Sequence, residues 1–169
     1  MSNKLTFRAI QPKDAKIISN AFQEQGWNKP KSLYQSYLNF QSNGKRDIII
    51  AEINNSFAGY LTILWQSDYA PFREKGIPEI NDFNVLEKFQ RRGIGSHLMD
   101  EAENRIKQRS PLAGIGFGVT KDYGKAQILY IKRGYVPDGN GMVRNHLPLN
   151  YGAEVTVDDD LVLYLTKKL

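Results

Sequence analysis

The stretch FNVLEKFQRRGIGSHLM, residues 83–99, joins a segment of strand alternation to one of helical spacing. Ahead of its end, EINDFNVL (79–86) alternates, which predicts a strand with Glu79, Asn81, Phe83 and Val85 on one face. Behind it, Ile94, Leu98, Ala102 and Ile106 recur every four residues and predict an amphipathic helix over 94–109, stopped by Ser110-Pro111. The connection carries Arg91, Arg92, Gly93 and Gly95. Glycines leave the backbone N–H groups of a turn uncovered. The first turn of a helix adds N–H groups without intrahelical partners and a partial positive charge. A diphosphate suits such a place, and so does a nucleic-acid contact or a plain turn before a helix. The dinucleotide fingerprint is excluded, because Leu98 stands where its third glycine belongs. There is no Gly-Lys-Ser/Thr ending, and Ser96 lacks the flanking glycines of a nucleophile elbow.

Outward toward the N-terminus, LTFRAI (5–10) reads as a strand, followed by a helix through Ala15, Ile17, Ile18, Ala21 and Phe22 that Gly26 ends. Leu33, Tyr34, Tyr37 and Leu38 predict a second helix over 31–40, closed by Asn43-Gly44. DIIIAEI (47–53), Asn54-Asn55 and FAGYLTILW (57–65) read as a hairpin, and residues 66–76 as a long loop. Toward the C-terminus, GIGFGVT (114–120) predicts a glycine-rich strand, 124–133 a short helix ended by Gly134, and Tyr135-Val136 the start of a strand. Residues 137–157 are turn-rich, and LVLYLTKKL (161–169) predicts a closing strand. The order implies an α/β (mixed α+β) fold: a mixed, mostly antiparallel central sheet of about seven strands with helices on both faces.

The 169 residues suit a single domain, 1–169, and 41% hydrophobic with 24% charged residues is ordinary globular usage. The lack of cysteine excludes disulfides, thiolate zinc sites and a cysteine nucleophile, and fits a cytoplasmic address. MSNKLTFRAIQPKD has no long apolar core, so no signal peptide is expected, and no apolar run is long enough to span a membrane. A net charge of +5 favours anionic ligands, but Lys and Arg are scattered and no nucleic-acid motif is present, so no nucleic-acid partner is expected. His97 and His146 have no ligand spacing, and no metal is expected.

Two motifs narrow the reading. Gln90-Arg91-Arg92-Gly93-Ile94-Gly95 matches the Q/R-x-x-G-x-G/A pattern of the Gcn5-related N-acetyltransferase (GNAT) family. AQILYIKRGY (126–135) resembles the same family's A-x-x-L-Y-x-x-x-G-F/Y signature, and the element order agrees from residue 5 to residue 169. The resemblance implies acetyl-CoA as co-substrate. Its pyrophosphate would lie on the turn of Gln90, Arg91, Arg92, Gly93, Ile94, Gly95 and Ser96, and its pantetheine along the backbone of Val85 and Leu86. The Val85 N–H would polarise the thioester carbonyl, and Tyr130 would be the general acid toward the departing thiolate. Glu79, eleven residues before Gln90, holds the place of the base in the histone-acetylating branch, and Asp82 is the other candidate. One position departs from the pattern: Tyr123 stands where many members carry an asparagine that contacts the cofactor.

The activity so implied is acetyl transfer to a primary amine of a small molecule, peptide or protein, by direct attack in a ternary complex. The other class left open is a non-catalytic acyl-CoA-binding regulatory module on the same fold, which the Tyr123 departure motivates. The acceptor is not legible, and a homodimer is left open because dimers are common in the family. Trp27, Tyr34, Trp65, Tyr69, Phe72 and Tyr151 are candidates to line an acceptor cleft, and the 66–76 loop to set specificity. Asp158-Asp159-Asp160 reads as a solvated lead-in to the last strand.

Overall fold

Alternating apolar residues and two-residue turns build the sheet of this protein, seen in a computed structural model that describes residues 4–169. The strands are β1 (Leu5–Ala9), β2 (Arg46–Ile53), β3 (Ser56–Leu64), β4 (Glu79–Val85), β5 (Leu112–Gly118), β6 (Val136–Arg144), β7 (Leu147–Pro148) and β8 (Leu161–Lys168). The helices are α1 (Asp14–Glu24), α2 (Lys31–Ser42), α3 (Ala70–Glu74), α4 (Ile94–Lys107) and α5 (Gly124–Lys132). Hydrogen bonding orders the eight strands β1-β2-β3-β4-β5-β8-β6-β7. β4 pairs with β5 in parallel, while the β1–β2, β2–β3, β5–β8, β6–β8 and β6–β7 ladders are antiparallel. The expected mixed, mostly antiparallel sheet is therefore present, with one strand more than expected.

The chain divides into two compact units. One comprises the residues up to Trp65 together with Asn81–Asn104; the other comprises Gln66–Ile80 and Arg105–Leu169. In the first unit, Asn54 and Asn55 both take positive φ, 50° and 64°, and close the β2–β3 hairpin with Ile53 opposite Ser56. That is the left-handed pair a two-residue hairpin needs, and asparagine tolerates it. Ala15, Ile18 and Phe22 of α1 and Tyr34 and Tyr37 of α2 pack with Ile48, Ile50, Phe57 and Tyr60 of the hairpin into one core. Arg8 pins this arrangement: it forks onto Asp14 at the start of α1, at 2.6 and 2.9 Å, and reaches Glu52 of β2 at 2.6 Å.

In the second unit the glycines of GIGFG are spaced at two, so Gly114, Gly116 and Gly118 share one face of β5. Large side chains lie where their Cβ atoms would be. A Cβ on Gly114 would stand 2.2 Å from the Phe72 ring, one on Gly116 2.7 Å from Val162 Cγ1, and one on Gly118 2.4 Å from the Tyr123 ring. Tyr69 and Tyr164 stack at 3.9 Å, and Phe72 meets both rings edge-on.

Three expectations change. The 66–76 stretch is not all loop, since five of its residues form α3 with Pro71 in the first turn, and Phe72 holds that turn in the core. Residues 137–157 are not all turns. β6 runs on to Arg144, with a register shift between Pro137 and Met142 that Gly139 and Gly141 absorb at φ 89° and 71°. Asn145 and His146, again both at positive φ, then turn the chain into β7. Helix α4 also ends at Lys107, two residues short of the expected limit. Among the described residues, no helix is long and apolar enough to cross a membrane.

Gly114→Ala should lower stability by about 1–3 kcal/mol, the usual cost of overpacking a filled core. A urea melt checks this, and an unchanged midpoint would mean that the Phe72 ring moves aside freely.

Candidate active site

The first unit holds the stretch from β4 into α4. Val85 ends β4, a 3-10 turn follows at Glu87–Phe89, and Ile94 begins α4. Arg91 and Gly93 take φ 60° and 77°, so the chain folds back on itself between strand and helix. Arg91, Arg92 and Gly93 are exposed, while Ile94 is buried and anchors the helix start. Arg92 and Lys88 each place their charge 5.5 Å from the Phe89 ring centroid. The result is an exposed turn, two of whose residues are left-handed, beside a helix N-terminus and three cations. An anionic group such as a diphosphate fits it.

Glycine also matters for packing here. A Cβ on Gly59 would lie 2.6 Å from the Asn84 carbonyl oxygen and 3.0 Å from Val85 Cα, and one on Gly95 would lie 3.1 Å from the Phe83 ring. Val85 is thereby pressed against β3, and Phe83 against the start of α4. The Gln90 side chain donates to the Val85 carbonyl at 3.3 Å, tying the motif back to the strand. Leu86, expected to offer backbone to pantetheine, is a core residue whose N–H is already donated to the Ala58 carbonyl at 2.9 Å.

Asp82 is a polar hub. Its backbone is left-handed, at φ 46°, so the strand alternation breaks there. One carboxylate oxygen accepts from Lys29 Nζ at 2.9 Å and Asn84 Nδ2 at 2.7 Å; the other accepts from the Tyr37 hydroxyl at 2.8 Å and from the Tyr60 hydroxyl. Burial pushes this carboxyl up, but Lys29 and the hydroxyl donors outweigh it and hold the group below the usual carboxylate range. A carboxylate so fully used is a poor proton acceptor near neutral pH. Beside Lys29, a cavity of about 380 Å³ is lined by Ser19, Gln23, Gly26, Trp27, Asn28 and Lys29. No sequence signal marked Lys29, which lies 53 residues from its partner.

The second unit holds Tyr130, Tyr123 and Glu79. Tyr130 projects from α5, is 5% exposed, and has the rings of Phe117 and Tyr135 at 6.5 and 6.2 Å. Burial, and secondarily the neighbouring Tyr123, push its phenol well above the ordinary value, so it stays protonated at neutral pH. Tyr123 covers Gly118 and donates to Asp159 at 2.9 Å. Burial and that carboxylate push the Tyr123 phenol up to about 12. Glu79 is 3% exposed, accepts a short hydrogen bond from Ser67 Oγ, and stands opposite Gly114 in the parallel ladder. Ser67 in turn takes the Tyr69 N–H at 3.0 Å.

Among the aromatic candidates for a cleft, Tyr34, Tyr69 and Phe72 are core side chains, Trp65 bonds Asp47 at 2.9 Å, and Trp27 and Tyr151 are exposed. The 158–160 carboxylates are not merely solvated: Arg144 forks onto Asp158 at 2.6 and 2.8 Å, and Asp159 holds Tyr123. His146 Nδ1 lies 3.0 Å from the Tyr164 hydroxyl. Among the described residues, no group of three or more His, Asp or Glu side chains is placed to hold a metal ion.

Comparison with known proteins bears on the family and the fold. No curated protein matches the sequence. Solved structures do match in fold. A ribosomal-protein-alanine N-acetyltransferase from Brucella melitensis is 16% identical, with 97% of this chain and 99% of that one covered and a TM-score of 0.70. An N-acetyltransferase from Staphylococcus aureus is 14% identical, with 98% of each chain covered and a TM-score of 0.71. YncA from Salmonella typhimurium, solved with its cofactor acetyl-CoA, is 14% identical, with 98% and 94% covered and a TM-score of 0.68. The sequence model of the Acetyltransferase (GNAT) family matches residues 15–135, from the first turn of α1 to the residue before β6, and the chain belongs to that family.

Proposed function

We propose that this protein is an N-acetyltransferase that moves the acetyl group of acetyl-CoA to a primary amine by direct attack in a ternary complex. The observation that carries the reading is the turn at 90–96, left-handed at Arg91 and Gly93, between β4 and the N-terminus of α4. Arg91, Arg92 and the amides from Gly93 to Ser96 hold the pyrophosphate, with Gln90 keeping the turn against Val85. The Val85 N–H donates to the thioester carbonyl oxygen, a fixed dipole that needs no reorganisation as negative charge grows there. The phenol of Tyr130 donates its proton to the sulfur as the C–S bond breaks and the C–N bond forms. A phenol, whose ordinary pKa is about 10, carries its proton at neutral pH and so has it to give. Glu79 takes the proton lost by the amine through intervening water. That role falls to Glu79 over Asp82, whose oxygens already accept four hydrogen bonds.

Gly93→Asp or Gly95→Glu should weaken acetyl-CoA binding at least about tenfold, or 1.4 kcal/mol, by placing a carboxylate where phosphate sits. Calorimetry reads this, and equal affinity in both variants removes the cradle from the proposal. Tyr130→Phe should cut turnover about a hundredfold, within the range of general acid catalysis, while leaving acetyl-CoA affinity nearly as it was. Glu79→Gln should lower turnover of the amine by a comparable factor, about tenfold to a hundredfold, most at the lower end of the pH range, where less of the amine is already free of its proton. Release of CoA from wild type across an amine panel reports both. Acetyl-CoA binding with no release across that panel favours the non-catalytic acyl-CoA module instead.

A further inference from the structure

Asp82 is a non-glycine residue held left-handed in the middle of a strand, a conformation that persists only where the surroundings over-determine it. The surroundings do so through side chains from distant parts of the first unit. Lys29 comes from the α1–α2 connection, Tyr37 from α2 and Tyr60 from β3, with Asn84 local to β4. On the N-terminal side of the kink, Thr62 Oγ1 donates to the Asn81 carbonyl at 2.8 Å. On the other side, Val85 lies against Gly59 with almost no clearance, and Leu86 is bonded to Ala58. The backbone from Asp82 to Val85 is thus clamped at both ends, and the side chain of Asp82 carries the clamp at one of them.

Lys29 supplies the only formal positive charge among the four side chains donating to Asp82. Its ammonium also sits 3.2 Å from the Tyr60 hydroxyl and 5.5 and 5.7 Å from the ring centroids of Phe22 and Tyr60. Its side chain is 20% exposed, and its carbonyl accepts from Ser19 Oγ at 2.8 Å, which fixes the connection that carries it. Without that charge, the partly buried carboxylate would be left with three neutral donors, and the left-handed turn would lose its one charged partner.

We infer that Lys29 is a positioning residue for acetyl transfer: through Asp82 it holds the kinked β4 backbone so that the Val85 N–H points where the thioester oxygen forms. The inference rests on the donor role proposed for Val85. A displacement of that amide by about an ångström is enough to cost about a hundredfold in rate.

The test compares wild type with Lys29→Met, which keeps the apolar stem, and Lys29→Arg, which keeps the charge. Three readouts are taken: amide hydrogen exchange at Phe83, Asn84 and Val85 in the free protein, acetyl-CoA affinity by calorimetry, and kcat and KM on an accepted amine. Lys29→Met is expected to speed exchange at these amides at least about tenfold relative to β2 amides. It is expected to lower kcat about tenfold to a hundredfold with little change in the KM for acetyl-CoA, and Lys29→Arg is expected to restore most of both. Unchanged exchange at Val85, or a kcat that falls only in step with the urea midpoint, overturns the inference and leaves Lys29 a packing residue. If Lys29→Met does not fold, Tyr37→Phe removes one donor from the same carboxylate and is read the same way. A wild type that releases no CoA with any amine defeats the acetyl-transfer reading, while the exchange arm still decides whether Lys29 holds β4.

Discussion

One partly buried carboxylate holds the shape of the strand on which the donor chemistry depends. Asp82 bends β4 out of regular alternation, and its two oxygens draw Lys29, Tyr37, Tyr60 and Asn84 onto one point. Helices α1 and α2 are anchored to the sheet through apolar packing of Phe22, Tyr34 and Tyr37, but that packing alone has no directional preference. The hydrogen bonds to Asp82 add direction to this apolar interface, at the desolvation cost of a partly buried ion pair. Val85, three residues on, inherits that direction and is then pressed between the space left by Gly59 and the motif glutamine.

The second unit is organised by the opposite device. Three glycines at alternate positions of β5 empty one face of the strand, and Phe72, Tyr164, Val162 and Tyr123 move in. Large rings packed directly on backbone gain contact area without losing the strand's hydrogen bonds. Tyr69 stacks on Tyr164 and donates to Asp138 at 2.8 Å, so an otherwise apolar stack ends in a satisfied hydroxyl. Tyr130 belongs to the same unit, and its phenol is pushed up mainly by its own burial, with Tyr123 second.

What could be read from the sequence was local. Residues 83–99 and 126–135 carry their turns, glycines and helical spacing within one or two dozen residues, so the strand–turn–helix and the α5 signature were legible together with the family they imply. The Asn54-Asn55 turn was legible for the same reason, because a left-handed pair needs that residue type whatever surrounds it. The partners of Asp82 were not, because they lie 22, 45 and 53 residues away, and no periodicity connects a lysine in a turn to an aspartate in a strand. Helix α3 is five residues long and owes its existence to Phe72 finding Gly114, a pairing across the fold. The run of β6 was hidden by Pro137, Gly139 and Gly141, which look like turn residues and in fact supply a bulge. The bond from the Leu86 N–H to the Ala58 carbonyl was hidden as well, because adjacency to Val85 says nothing about which N–H groups the sheet has already used.

The Tyr123 ring occupies the volume that a side chain at position 118 would need, and its hydroxyl is committed to Asp159. Positions 118 and 123 therefore share one parcel of space. A relative with a smaller residue at 123 has room for a Cβ at 118, whereas a chain with tyrosine at 123 is confined to glycine there. The departure from the family's usual asparagine thus carries a constraint to a second position. Tyrosine at 123 should thus be found only beside glycine at 118, whereas a smaller residue at 123 leaves position 118 open.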